Sequence, residues 1–298
     1  MIELWYSLIE SLFPFPWAEF DFMKNALLAV LLVSPIFGIL GTMVINNRMA
    51  FFSDAVGHAA LTGIAIGVLL GCGDPLWVML IFAAFLAGGI TWARRRTKAS
   101  ADTVIGVFFA TAVALGVVIL SRQGGFNRYS GYLIGDLLSI TPGELGLLAV
   151  VLLGVILFWL FLFNRLFLVS LNPAVARSRG VNVFQVELLF SILLAFIVTI
   201  SIQWVGILII NSLLVLPAAA ARNLAENMQR YHVLAVIISL AAGLTGLFLS
   251  YQWGTATGAT IVLISFVLYL GTIAWKAVRP RQARRVPEMD AVKLNQKP

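Results

Sequence analysis

The chain has 298 residues, 61% of them hydrophobic and 11% charged, where ordinary soluble domains have about 45–50% and about 25%. A soluble core cannot enclose that much apolar surface, so the composition excludes a water-soluble globular protein and points to an integral membrane protein. The net charge of +7 and the single cysteine, Cys72, set two further limits. The charge raises a nucleic-acid reading that its placement removes below, and one cysteine excludes an intrachain disulfide framework or a multi-cysteine zinc site.

In chain order, the start "MIELWYSLIESLFPFPWAEFDFMKN" is acidic and aromatic, with no basic region ahead of its apolar residues. It does not read as a removable signal peptide. Trp5, Tyr6 and Trp17 suit a membrane interface, so residues 1–24 are expected to form an interfacial segment. Long apolar runs follow, without the ten-residue alternation of a membrane β-barrel. An all-α, polytopic helical bundle is therefore expected. Nine spans are placed at 25–45, 51–70, 75–93, 103–121, 143–163, 183–201, 204–221, 233–250 and 257–275. Polar residues or proline interrupt the second and seventh, which leaves eight as the alternative count. The membrane-spanning body thus covers 25–276, and residues 277–298 form a basic tail expected to be flexible.

Lys and Arg set the orientation. With the N-terminus outside, every basic residue except Lys24, Arg122 and Arg128 falls on the inner side. The C-terminus is then cytoplasmic. The positive charge becomes a signal of topology and of contact with anionic lipid, and no nucleic-acid partner is needed.

"FFSDAVGHAALTG", residues 51–63, puts Asp54 and His58 inside an apolar span. An ionisable residue at a span centre costs about 2.5–3.5 kcal/mol and usually marks a pathway or a partner. Spacing i, i+4 sets both side chains on one helix face, within reach of one ion. Carboxylate oxygen with imidazole nitrogen suits zinc, manganese or ferrous iron. The plainer reading, that the two side chains satisfy each other and pack helices, stays open on spacing alone. A helix starting near residue 51 puts His58 roughly 10 Å from the inner surface. Ala55, Ala59, Gly63, Gly67 and Gly71 repeat every fourth residue on a neighbouring face and admit another helix closely. A two-ligand site is weak, as ion transit needs. His232 is expected to be solvated in an inner loop. Asn211 and Ser212, ahead of Pro217, could line a path or merely accompany a kink. Glu187 and Asp102 read as first-turn charges.

No GxxxxGK[ST] phosphate loop occurs. The chain is therefore not expected to be an enzyme that hydrolyses ATP; it uses an ion gradient or borrows a separate ATPase. "LNPAVARSRGVNV" predicts a short inner helix with Asn172 as N-cap, Pro173 at the first position and Gly180 as stop. It carries Arg177 and Arg179, and suits either a docking helix or an ordered loop.

"RMAFFSDAVGHAALTGIAIG", "DTVIGVFFATAVALGVV", "YLIGDLLSITPGEL", "LNPAVARSRGV" and "VGILIINSLLVLPAAAARNLA" together resemble, in the same order, the permease subunits of bacterial ABC importers for zinc, manganese and iron. The resemblance spans roughly residues 25–275, and "GDLL" with "LPAAAAR" looks closest to the zinc branch. It implies a fold similar to the vitamin B12-type permease. It also implies a homodimer in the bacterial inner membrane, cytosolic ABC ATPase subunits and an extracytoplasmic metal-binding protein. No permanently bound cofactor is implied; Zn²⁺, or else Mn²⁺ or Fe²⁺, is the transported substrate. The metal role falls on Asp54 and His58, and ATPase docking on Asn172, Pro173, Arg177, Arg179 and Gly180. Asn172 departs from the family, where many members have Asp before the proline; Asn caps as well. Rival readings are a proton-coupled secondary transporter and an intramembrane hydrolase using Ser53 with His58. Five residues apart on a helix, those two side chains diverge by ~140°.

Overall fold

Residues 2–12, 16–123 and 137–278 are described by a computed structural model, and all regular structure among them is helical. The N-terminal helix α1 (Ile2–Leu12) lies against the start of α2 (Asp21–Asn46). Trp5 Nε1 donates to the Lys24 carbonyl at 3.0 Å, and the Tyr6 hydroxyl donates to Asn25 Oδ1 at 2.7 Å. Lys24 is only 2% exposed. Its ammonium is paired with Glu10 and with Asp21, 3.1 Å away, beneath the Tyr6 ring. Burying a cation is costly unless it is paired in this way, so α1 is tied to the start of α2 rather than trailing.

There follow α3 (Phe52–Leu69), α4 (Leu76–Arg96) and α5 (Ala101–Gln123). After a single-turn 3₁₀ helix at Leu137–Ser139 come α6 (Pro142–Leu171), α7 (Pro173–Ser178) and α8 (Val183–Val205). The described residues end with α9 (Ile207–Leu224), α10 (Met228–Trp253) and α11 (Thr257–Val278). Among the described residues, eight helices are long and apolar enough to cross a bilayer. The segment expected at 204–221 is α9, whose apolar stretch Ile209–Leu224 falls short of that length. Gly206, at φ +82°, joins α8 to α9 without a loop. Pro217 lies within α9 and does not end it. Most of "YLIGDLL" and the whole tail after residue 278 lie outside the described residues.

The helix α6 runs past the expected end at 163. Nothing breaks a helix before Asn172–Pro173, so Asn164 and Arg165 stay inside it. Thirty residues make about 45 Å, well beyond a hydrocarbon core of about 30 Å. At the far end the Asn172 Oδ1 accepts from the N–H groups of Ala174 and Val175, at 2.9 and 3.3 Å, and Pro173 opens α7. Gly180, at φ +73°, turns the chain back toward α8. From Leu171 to Gly180 only Ala176 is buried.

Two helix groups meet at the centre. In one, α2 packs on α9, α10 and α6, and α11 packs on α9 and α10. In the other, α3 packs on α4 and α5, while α4 packs on α8. The groups are joined where α3 and α8 touch α9 and where α8 touches α6. Close approach uses glycine: a methyl at Gly63 would lie 2.6 Å from the Met79 Cα, so the small-residue stripe of α3 is the seat of α4. Gly41 of α2 likewise leaves no room for a methyl against the Leu214 carbonyl of α9. Glu187 is not a first-turn charge: it pairs with Arg95 at 3.0 Å and ties α8 to α4, whereas Asp102 does lie in the first turn of α5.

Candidate ion site

A tight reversal builds the site. Asn47 donates its N–H to the Met43 carbonyl, Arg48 takes φ +54°, and Met49 donates to Val44. Phe52 then donates to the Met49 carbonyl and α3 begins. Asp54 falls in its first turn, where a helix N-terminus favours negative charge.

Between Phe52 and Ala65 only Asp54, His58 and Leu61 are not buried. They form one stripe at i, i+4, i+7 that opens onto the surface of the chain. The Asp54 and His58 side chains are 41% and 39% exposed. His58 Nε2 lies 3.5 Å from Asp54 Oδ1. That is beyond a good hydrogen bond. It is close to the separation of about 3.4 Å between two ligands held 2.0–2.1 Å from one tetrahedral ion. The His58 ring meets Phe109 of α5 edge to face, with centroids 5.7 Å apart, which limits its swing.

A residue from far along the chain completes the arrangement. Asn211 Nδ2, on α9, donates to Asp54 Oδ1 at 2.7 Å. The Asn211 Oδ1 is buried and has no hydrogen-bond partner, and the same holds for the hydroxyls of Ser212 and Ser53. A buried acceptor left unpaired costs about 1–3 kcal/mol. Asn211 lies thirteen residues before Leu224, or about 20 Å of helix axis. Along α9 the contact with Asp54 is thus set well back from the charged end of that helix. Among the described residues no third His, Cys, Asp or Glu joins the pair. Ser53 receives no hydrogen bond from His58, so no Ser–His couple forms.

His232 is placed differently from expectation. It lies within α10, not in a loop, and is half-buried between Trp159 and Phe163, with centroids at 5.1 and 5.2 Å. Its Nδ1 donates to the Met228 carbonyl at 2.8 Å. It packs α10 against α6 and stands apart from Asp54. Asp136 lies outside the described residues.

Known proteins resemble this chain over most of its length. The high-affinity zinc uptake system membrane protein ZnuB of Haemophilus influenzae is 31% identical over 252 residues, covering 84% of this chain and 96% of that one. The manganese import system permease protein ScaB of Streptococcus gordonii is 29% identical over 252 residues, covering 85% and 90%. Among solved structures, PsaBC from Streptococcus pneumoniae in complex with Fab superposes with a TM-score of 0.73 at 26% identity, over 85% of this chain and 91% of that one. An inward-facing metal-chelate type ABC transporter shares the fold, with a TM-score of 0.66 at 14% identity. Residues 19–276 match the model of the ABC 3 transport family, to which the chain belongs.

Proposed function

We propose that this chain is the membrane permease of an importer that carries a divalent transition metal, Zn²⁺ first, into the cytoplasm. Two copies form the pathway, separate ATPase subunits drive it, and an extracytoplasmic protein delivers the ion. The observation that carries this reading is the Asp54–His58 pair, spaced for one ion and open on the stripe that leaves the protomer. An ionisable pair facing hydrocarbon is unfavourable, so the stripe suits a water-filled path shared with a second copy.

The pair's chemistry fits transit. Asp54 supplies negative charge in the first turn of α3, and His58 supplies a borderline nitrogen. Two protein ligands hold the ion weakly enough to release it. In this scheme α7 is the contact for the ATPase. Asn172 and Pro173 start it, Arg177 and Arg179 are exposed, and Gly180 ends it. The rigid rod of α6 sets it beyond the bilayer and transmits the ATPase's closure to α2 and α8, on which α6 packs.

Manganese is the second reading, favoured by the near-equal identity to the manganese permease. The test is a vesicle reconstituted with this chain, its ATPase and its binding protein, loaded with ATP inside. Radioactive zinc should enter only when ATP and the ATPase are both present, and excess cold manganese should compete weakly. Strong competition by manganese reassigns the metal. Uptake by this chain alone down a proton gradient removes the ATPase-driven reading.

A further inference from the structure

We propose that Asn211 is the third ligand of the ion site, acting through its amide oxygen. This rests on the reading of Asp54 and His58 as ion ligands, and goes beyond it.

Chemistry fixes which end of the amide faces Asp54. An ionised carboxylate only accepts, so the atom 2.7 Å from Asp54 Oδ1 is the NH₂ group. The amide oxygen is then the group that is buried and unpaired. Bond lengths hold it about 2.3 Å from Nδ2, and therefore no more than about 5 Å from Asp54 Oδ1. Two oxygens bound to one ion at 2.0–2.2 Å stand up to about 4 Å apart. A small tilt of the Asn211 side chain brings its oxygen onto an ion already held by Asp54 and His58. In the ion-free protein the amide N–H steadies the carboxylate; when the ion arrives, the idle lone pair gains a partner.

The resulting set is two oxygens and one nitrogen. The added oxygen is neutral, so it strengthens the site without adding charge that would trap the ion. Carbonyl and carboxylate oxygen suit manganese, and imidazole suits zinc and ferrous iron, so Asn211 tunes the site toward the harder ions. No spacing in the sequence points to this contact, which joins residues 157 positions apart.

The test is Co²⁺ binding to the purified full-length permease in detergent, followed by the visible d–d absorption, which reports donor number and type independently of transport. The variants are Asn211→Ala, the near-isosteric Asn211→Asp, and His58→Ala as reference. Asn211→Ala should weaken Co²⁺ binding by about tenfold or more and alter the band. Asn211→Asp should bind more tightly yet slow metal release in the transport assay; because it keeps the shape of the side chain, it carries the test if the alanine variant does not fold. If Asn211→Ala keeps the wild-type affinity and band while His58→Ala loses them, Asn211 is a packing residue and the inference is wrong, though the two-ligand site stands. If His58→Ala is indistinguishable from wild type, or if wild type shows no saturable band, the ion site itself is removed, and the inference with it.

Discussion

A carboxylate inside an apolar span keeps its charge only against a partner, and Asp54 is given one donor and one gap. Asn211 donates at 2.7 Å, while His58 stands 3.5 Å away. The gap is what separates an ion site from a closed hydrogen-bonded pair. An imidazole binds metal only when neutral, and ligation competes with protons. Uptake is therefore expected to decline on acidification from pH 7 toward about pH 5, as protons compete with the metal for the ligands. A rate that stays flat over that range, measured as initial metal uptake, argues against His58 as a ligand. The pair was legible in the sequence because i, i+4 spacing on a helix is a local fact. Asn211 was visible only as a polar residue ahead of Pro217. Its attachment to Asp54 depends on how α9 packs beside α3, which no local pattern encodes. His232 misled for a related reason: a histidine beside charged residues reads as solvated, and only tertiary packing sets it against Trp159 and Phe163.

At the scale of elements, α7 is a single short helix whose start hangs on one side chain. Removing an Asn cap costs about 0.5–2 kcal/mol, and six residues have little else to hold them. Asn172→Ala is expected to lower ATPase-dependent uptake several-fold with metal binding unchanged, and Asn172→Asp to behave as wild type. Equal loss of binding and uptake in the alanine variant contradicts a docking role confined to α7. The contact of α2 with α9 is the tightest test of packing. A Val at Gly41 meets the Leu214 backbone, which cannot retreat as a side chain can. Overpacking of this kind costs about 1–3 kcal/mol or more, so Gly41→Val should lower the thermal midpoint in detergent, read by size-exclusion recovery after heating. The caps of α7 were legible because Asn, Pro and Gly act locally. The true end of α6 was not, and the shortness of α9 was legible only as the interrupted seventh span that left eight as the alternative count. Apolar runs mark where a chain meets lipid, whereas the helix continues until its backbone is stopped, at Pro173 for α6 and at Gly206 before α9.

For the whole molecule, the two helix groups meet where Asp54 of α3 touches Asn211 of α9, so any shift of one group against the other would change this contact. The orientation expected from Lys and Arg makes a separate forecast. Cys72 is exposed in the turn between α3 and α4, which that orientation puts outside. A membrane-impermeant maleimide should label it in intact spheroplasts, whereas a cysteine replacing Arg177 in a Cys72→Ser background should react only after permeabilisation. The reverse pattern inverts the topology. The most direct measurement is radioactive zinc uptake in cells that express this chain with its ATPase and binding protein, comparing wild type with His58→Ala at equal membrane expression. A fall of at least about tenfold, as loss of a metal ligand gives, is the expected result; uptake unchanged in the variant contradicts an ion path through Asp54 and His58.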